Sequence, residues 1–367
     1  MSTPLPLTPP LARQLVSSAS NPWYATVLPV VAAAVFMTWV GIAKDTTSSC
    51  SPDAPCGPDH LASIGMGLLF ASLLAVRVSA LAALGAGSAS MALGLGKGAL
   101  NPTGSAWVYA TIAVFVGTLA WAAVHEHRAL HGPRRLLIEA GAPTIAVPGT
   151  LVDQSSGGWR AAWTRRSALI TLALIAGAAA LVARGAWLAE HHAAEEADAR
   201  VTPAIVTAHE DDFVISVLVP GAGLQQIDTL DASRYPVPSV QDVWVLPDGD
   251  FRLVAEPYDA TVLETPASIA FVLAAALILR AERSRRERVR LRTRAQPVVT
   301  ALGYRTPQDD GVVLYPQGSE ASTPAVVLLP PTRPTLSRAG AAPEPPTEGS
   351  LEPISCYGVP APGHWVV

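Results

Sequence analysis

Charge is scarce in this sequence. Only 15% of its 367 residues are Asp, Glu, Lys or Arg, where a soluble domain carries about 25%. Lysine is nearly missing: Lys44 and Lys97 leave 23 arginines among the 25 basic residues. That bias, with abundant alanine, is typical of high-GC bacterial genomes. Three cysteines are too few for a disulfide-built scaffold. No phosphate-binding loop is present, because Gly96-Lys97 lacks both the upstream glycine and the following Ser or Thr. A GxSxG nucleophile elbow is also missing. These absences remove the commonest nucleotide-binding and acyl-transfer signatures. Residues 1–22 are Pro-rich with one arginine and lack the basic start of a signal peptide, so they read as a flexible cytoplasmic tail.

What is abundant is apolar sequence in long blocks. Half of the chain is hydrophobic, at a mean hydropathy of +0.33. A helix crossing about 30 Å of hydrocarbon needs about 20 mostly apolar residues. Segments 23–43, 106–124, 167–188 and 262–281 meet this, and Trp23, Tyr24, Trp39, Trp107, Tyr109 and Trp121 supply interfacial aromatics. Arg184 can snorkel beside Trp187, and Pro266 suits a first helical turn. Residues 61–98 would make a single helix of roughly 57 Å, too long for one crossing. They read as a helical hairpin, 61–76 and 78–96, turning near Arg77. The second arm is rich in Gly, Ala and Ser, with Gly94 and Gly98 at GxxxG spacing, a spacing common by chance in such a run. The expected fold class is therefore a membrane all-α protein of about six transmembrane helices.

Arginine placement orients the spans. The loop 125–166 carries Arg128, Arg134, Arg135, Arg160, Arg165 and Arg166. The last span is followed by Arg280, Arg283, Arg285, Arg286, Arg288, Arg290, Arg292 and Arg294. Both segments belong in the cytoplasm by the positive-inside rule. The segment 189–265 holds only Arg200, Arg234 and Arg252 against 15 Asp and Glu, and belongs outside. With six spans both termini are cytoplasmic and residues 44–60 are outside. Cys50 and Cys56 bracket CSPDAPC there, which suits a disulfide on the oxidising side. A zinc site with Asp53, Asp59 and His60 is the competing reading, although CxxxxxC is not a usual zinc spacing.

The soluble parts read as small β modules. Within 189–261, Ala204–Ala208 and Phe213–Val219 are rich in Val and Ile. Asp242–Leu246 and Phe251–Ala255 flank a hairpin signal at Pro247, Asp248 and Gly249. The segment 282–329 combines the basic run with strand candidates Val298–Leu302, Val312–Tyr315 and Ala325–Leu329. Residues 330–367 contain a Pro-rich linker and a terminal stretch that suits one more strand.

The outside loop CSPDAPCGPD, the basic loop after the Ala106–Val124 span and the ending RLVAEPYDA before the last span together resemble uncharacterised actinobacterial multi-pass membrane proteins. The stretch Glu256 to Asp259 is the most specific of these features. The likeness implies a small β module between the last two transmembrane helices and no known reaction.

Candidate chemistry is sparse. His125, His127 and His131 form the best metal candidate, with His127 and His131 on one helix face. The competing reading is a solvated helix end, since HEHRALH misplaces the glutamate of HExxH. His191 and His192 with Glu190, Glu195 and Glu196 suit either a loose cation site or a solvated acidic helix. The five better spans hold no carboxylate near mid-membrane, which argues against a proton-coupled carrier. The run Arg280–Arg294 follows a span directly, so it reads as a lipid-facing topology signal and not as a nucleic-acid site. The functional expectation is a non-enzymatic plasma-membrane protein without a cofactor. Its expected partners are the lipid bilayer and envelope proteins, and a transporter or channel subunit is the alternative.

Overall fold

A computed structural model describes residues 3–19, 24–43, 59–96, 106–147, 159–305, 312–317, 326–328 and 351–360. The helices are α1 (Pro9–Ala19), α2 (Tyr24–Ala43), α3 (His60–Ala75), α4 (Ala80–Gly96), α5 (Ala106–Glu139), α6 (Trp159–Asp198) and α7 (Glu264–Thr293). Antiparallel α3 and α4 are joined by a tight turn through exposed Arg77. Asp59 caps α3 by accepting from the Ala62 N–H at 2.9 Å. The lateral contacts run α6–α7–α3–α4–α5–α2, so α6 lies at one edge.

Close contact in the bundle depends on small residues. A Cβ on Gly67 would lie 2.6 Å from the Thr265 carbonyl and 2.7 Å from Ser268 Cβ, so α3 and α7 approach to backbone distance there. Gly87 admits Leu119 and Phe115 of α5 in the same way. Ser90 donates to the Gly65 carbonyl at 2.6 Å, and Thr265 to the Ser63 carbonyl at 3.0 Å. These hydroxyls satisfy their own polarity within the helix contacts. Phe36, Phe115, Leu119, Met91 and a run of alanines fill the space between. By contrast α6 buries little: Leu169 and Leu172 are 65% and 63% exposed. Outside its contact with α7 this helix leaves its apolar side chains uncovered, and by length and composition it could cross a membrane.

Three points correct the expected six-span, all-α class. Among the described residues, three helices are long and apolar enough to cross a membrane: Tyr109–Glu139, Arg166–Asp198 and Ala260–Leu291. Tyr24–Met37, His60–Ala75 and Ala80–Gly94 are apolar but shorter. Sixteen residues of α3 rise only about 24 Å, less than the hydrocarbon depth of about 30 Å. The β content is also substantial, in two sheets of five and six strands. Finally, the N-terminal segment read as a flexible tail is structured, as β1 (Leu5–Pro6) followed by α1.

The five-stranded sheet follows α6. It consists of β3 (Arg200–His209), β4 (Val214–Val219), β5 (Gly223–Asp228), β6 (Ser239–Val245) and β7 (Phe251–Leu253). Its antiparallel order is β5-β4-β3-β6-β7, curled so that the edge strands β5 and β7 approach. Ala204, Val206, Ile215, Val217, Val243 and fully buried Tyr235 form its core.

The six-stranded sheet is built on β8 (Gln296–Arg305), which starts three residues after α7 ends. It pairs with β9 (Val312–Tyr315), and β9 with β10 (Val326–Leu328). Three further strands pair with β8: β1, β2 (Thr144–Ile145) and β11 (Glu352–Tyr357). Strand β1 lies parallel to it, and Leu7 and Leu15 join Leu137, Val299, Leu314 and Cys356 in one core. Strands β1 and β11 and the helix ends of α5 and α7 thus meet in one body.

Replacing Gly67 by alanine will destabilise the bundle by about 1–3 kcal/mol, the cost of overpacking against backbone. Gly85→Ala, where a Cβ meets nothing within 4 Å, will be neutral or stabilising by up to about 1 kcal/mol. Thermal unfolding of the detergent-solubilised variants checks both; equal shifts would refute the close α3–α7 contact.

Candidate functional site

The features that distinguish this molecule are two polar junctions, one at each end of the bundle. The first joins α6 to the five-stranded sheet. Beyond Leu188, α6 continues as a polar helix, which brings His191, His192 and Glu195 beside Arg252 of β7. Glu195 lies 2.8 Å from His192 Nδ1, 3.3 Å from His191 Nε2 and 3.5 Å from Arg252. Arg252 Nη1 also lies 3.0 Å from His192 Nδ1. One ring nitrogen cannot both donate to a carboxylate and accept from a guanidinium. The charged carboxylate takes the Nδ1–H, and Arg252 shares that carboxylate. His192 packs on Tyr258 with ring centroids 3.7 Å apart, and His191 stacks on Trp187 at 5.2 Å. The cluster that suited either a loose cation site or a solvated acidic helix therefore holds helix and sheet together.

The same end carries a second set of bonds to α7. Asp259 accepts from the Thr261 N–H at 2.8 Å, and Ser63 of α3 lies 2.9 Å from Thr261 Oγ1. His60, at the start of α3, lies 2.5 Å from Glu264, the first residue of α7. Within the sheet, Glu256 accepts from the Tyr235 hydroxyl at 2.7 Å and from the Leu230 N–H at 2.9 Å. This carboxylate ties the end of β5 to the segment after β7. Burial, reinforced by the Glu256 carboxylate, raises the Tyr235 phenol well above its ordinary value.

The second junction is at the opposite end. Glu126 of α5 accepts from the Ala80 N–H at 2.7 Å and forms an ion pair with Arg283 of α7. Ala80 opens α4, so its N–H has no partner inside that helix. One carboxylate thereby answers the positive end of α4 and a guanidinium on a third helix.

The sequence-predicted residues fall as follows. His125 packs edge-on against Trp121 at 4.3 Å, while His127 and His131 pack on each other at 4.4 Å. No third ligand converges on them: among the described residues no group of three or more His, Cys, Asp or Glu could hold a metal. Arg134 donates to the Ala295 carbonyl at 3.3 Å, Arg135 pairs with Glu139 at 2.7 Å, and Arg166 is exposed. Arg283 is the partner of Glu126, and Arg285 and Arg286 both pair with Glu282 along α7. Pro247, Asp248 and Gly249 form the β6–β7 turn, with Gly249 at φ +94 donating to the Leu246 carbonyl at 3.0 Å. Cys50, Cys56 and the side chain of Arg165 lie outside the described residues. Cys356 is free and buried, and burial pushes its thiol up to about 11.

Sequence reading misses the pairs Glu126–Arg283 and His60–Glu264, which are 157 and 204 residues apart. The signal for the first was present: a carboxylate just past one span and an arginine just past another.

A double-mutant cycle on Glu126→Gln and Arg283→Gln will give a coupling of about 0.5–3 kcal/mol. Additive effects on thermal stability would remove the clasp. The raised Tyr235 phenol fixes a pH dependence too. Its folded value exceeds its unfolded value of about 10. Its contribution is therefore complete below that pH and is lost as pH rises toward the folded value. The five-stranded sheet will loosen at alkaline pH, followed by tyrosinate absorbance. Tyr235→Phe will reduce the alkaline dependence, and an unchanged profile in that variant would remove Tyr235 as its source.

Compared with known proteins, the chain matches no family model, no curated protein and no solved structure.

Proposed function

We propose that this chain is a non-enzymatic, multi-pass plasma-membrane protein. It binds a cell-envelope partner through its five-stranded sheet and relays that state to the six-stranded sheet in the cytoplasm. The observation that carries this is α7. It is one unbroken helix of 30 residues, about 45 Å long. Its first turn is bonded to α3 and to the segment leaving β7, and its last leads directly into β8. A displacement at one end of a continuous helix moves the other, as a loop would not. The arginine placement supports an exterior position for the acidic sheet and a cytoplasmic one for β8. Strands β1 and β11 both pair with β8, so both termini share that side.

A transporter or channel subunit is the second reading. It stands on Glu264, whose Oε2 is buried without a hydrogen-bond partner at the end of the bundle. Solute flux in reconstituted vesicles that Glu264→Gln abolishes would favour it over the relay.

The relay is tested on the whole protein in nanodiscs. Glu195→Ala with Arg252→Ala opens the first junction and leaves the far end unsubstituted. Amide exchange of β8 and β11 will rise about fivefold or more, the equivalent of roughly 1 kcal/mol. Unchanged exchange there overturns the relay. Thiol labelling of Leu230→Cys from outside and Ile145→Cys from inside checks the sidedness, and the reverse pattern overturns it.

A further inference from the structure

A cleft of about 410 Å³ opens where the extensions of α5 and α7 meet the six-stranded sheet. Neither the relay nor the topology signal uses it. Arg134 enters from α5 and Arg290 from α7, beside His131, while Leu130, Ile138 and Leu291 provide apolar wall. We propose that this cleft binds the phosphate group of a small molecule whose remainder is apolar or aromatic.

Charge decides the ligand class. Arg135 and Glu139 also line the cleft but neutralise each other at 2.7 Å. Glu287 lines it as well and is already partnered. The C-terminal ends of α5 and α7 point toward this region, each a partial charge of about −0.5. Three arginines against two carboxylates leave the side chains of the lining one positive charge, and Arg134 and Arg290, on separate helices, carry it beside the apolar wall. Arg134 uses a single N–H, to the Ala295 carbonyl at 3.3 Å, so most of its donors remain for an oxyanion. Two guanidiniums lining one space suit the tetrahedral oxygens of a phosphate better than a single carboxylate. Gln296 fixes the Arg290 side of the cleft, because its amide donates to the Arg290 and Arg294 carbonyls at 2.8 and 3.0 Å.

Depth separates the two sources of phosphate. Arg134 lies ten residues past Val124, and Arg290 eleven past Leu279. Each is about 15 Å beyond the apolar stretch. The headgroup layer adds only about 5–8 Å on each side. A soluble phosphate ester reaches the cleft, whereas an ordinary phospholipid phosphate stops short. This choice of source rests on the membrane reading above; the existence of the site does not.

The test uses full-length protein in detergent with inorganic pyrophosphate, and in nanodiscs made with and without anionic phospholipid. Pyrophosphate will raise the unfolding temperature, and Arg290→Gln will weaken its binding about tenfold or more, the loss of one charge-assisted contact. Arg134→Gln will weaken it similarly, while Arg285→Gln, on a residue paired with Glu282, will leave it unchanged. Arg290→Gln serves if Arg134→Gln fails to fold. Binding of anionic nanodiscs that pyrophosphate displaces would keep the site and assign its phosphate to lipid. No pyrophosphate binding, or binding indifferent to Arg290, overturns the proposal. None of these readouts in detergent depends on which side of a membrane the cleft faces.

Discussion

A backbone N–H or C=O removed from water must find a partner, and that constraint sorts this chain into its parts. Helix satisfies its own backbone, so apolar sequence stays helical, and the strands among the described residues gather in two sheets. The longest consequence is α7. It runs without a break from Ala-rich apolar sequence through its arginine run, because i,i+3 and i,i+4 pairing of Arg285 and Arg286 with Glu282 supports the charged half. Both sheets are then fixed to one rod, one through Thr261 and Glu264 and the other through the short step into β8.

Polar groups between the helices are few, and most are matched, Glu264 Oε2 being an exception. Glu126 is the clearest case. Its carboxylate would be costly near an apolar bundle if alone, but the α4 N-terminus and Arg283 both face it. The arrangement fixes three helices relative to one another with a single side chain. At the other end His60, Ser63, Thr261 and Glu264 do the same for α3 and α7. Between these polar layers the contacts are alanine and glycine against aromatic rings, where shape decides the spacing.

Much of the secondary structure was legible in the sequence, because it rests on local rules. The turn at Arg77 follows from helix length against membrane depth, and the turn at Gly249 from the need for positive φ in a tight hairpin. The span count was less legible. The arm 61–76 counts as a span by its apolar content, although a helix of 16 residues rises only about 24 Å. The N-terminal segment misled for a related reason. Its prolines suggest a loose tail, yet Leu5 to Leu7 gain their structure by pairing with β8, nearly three hundred residues away. His127 and His131 made the best metal candidate because spacing places them on one face, but spacing cannot supply a third ligand.

The sequence by itself determined that long stretches of this chain are helical and apolar, which side its arginines favour, and where its short strands turn. Those properties follow from composition and from residues within a few positions of each other. Only the tertiary structure decided that Glu126 meets Arg283, that Tyr235 meets Glu256, and that the two termini share one sheet. Each of these is a contact between distant segments. Its energy depends on burial and on a partner's position, neither of which any local stretch of sequence contains.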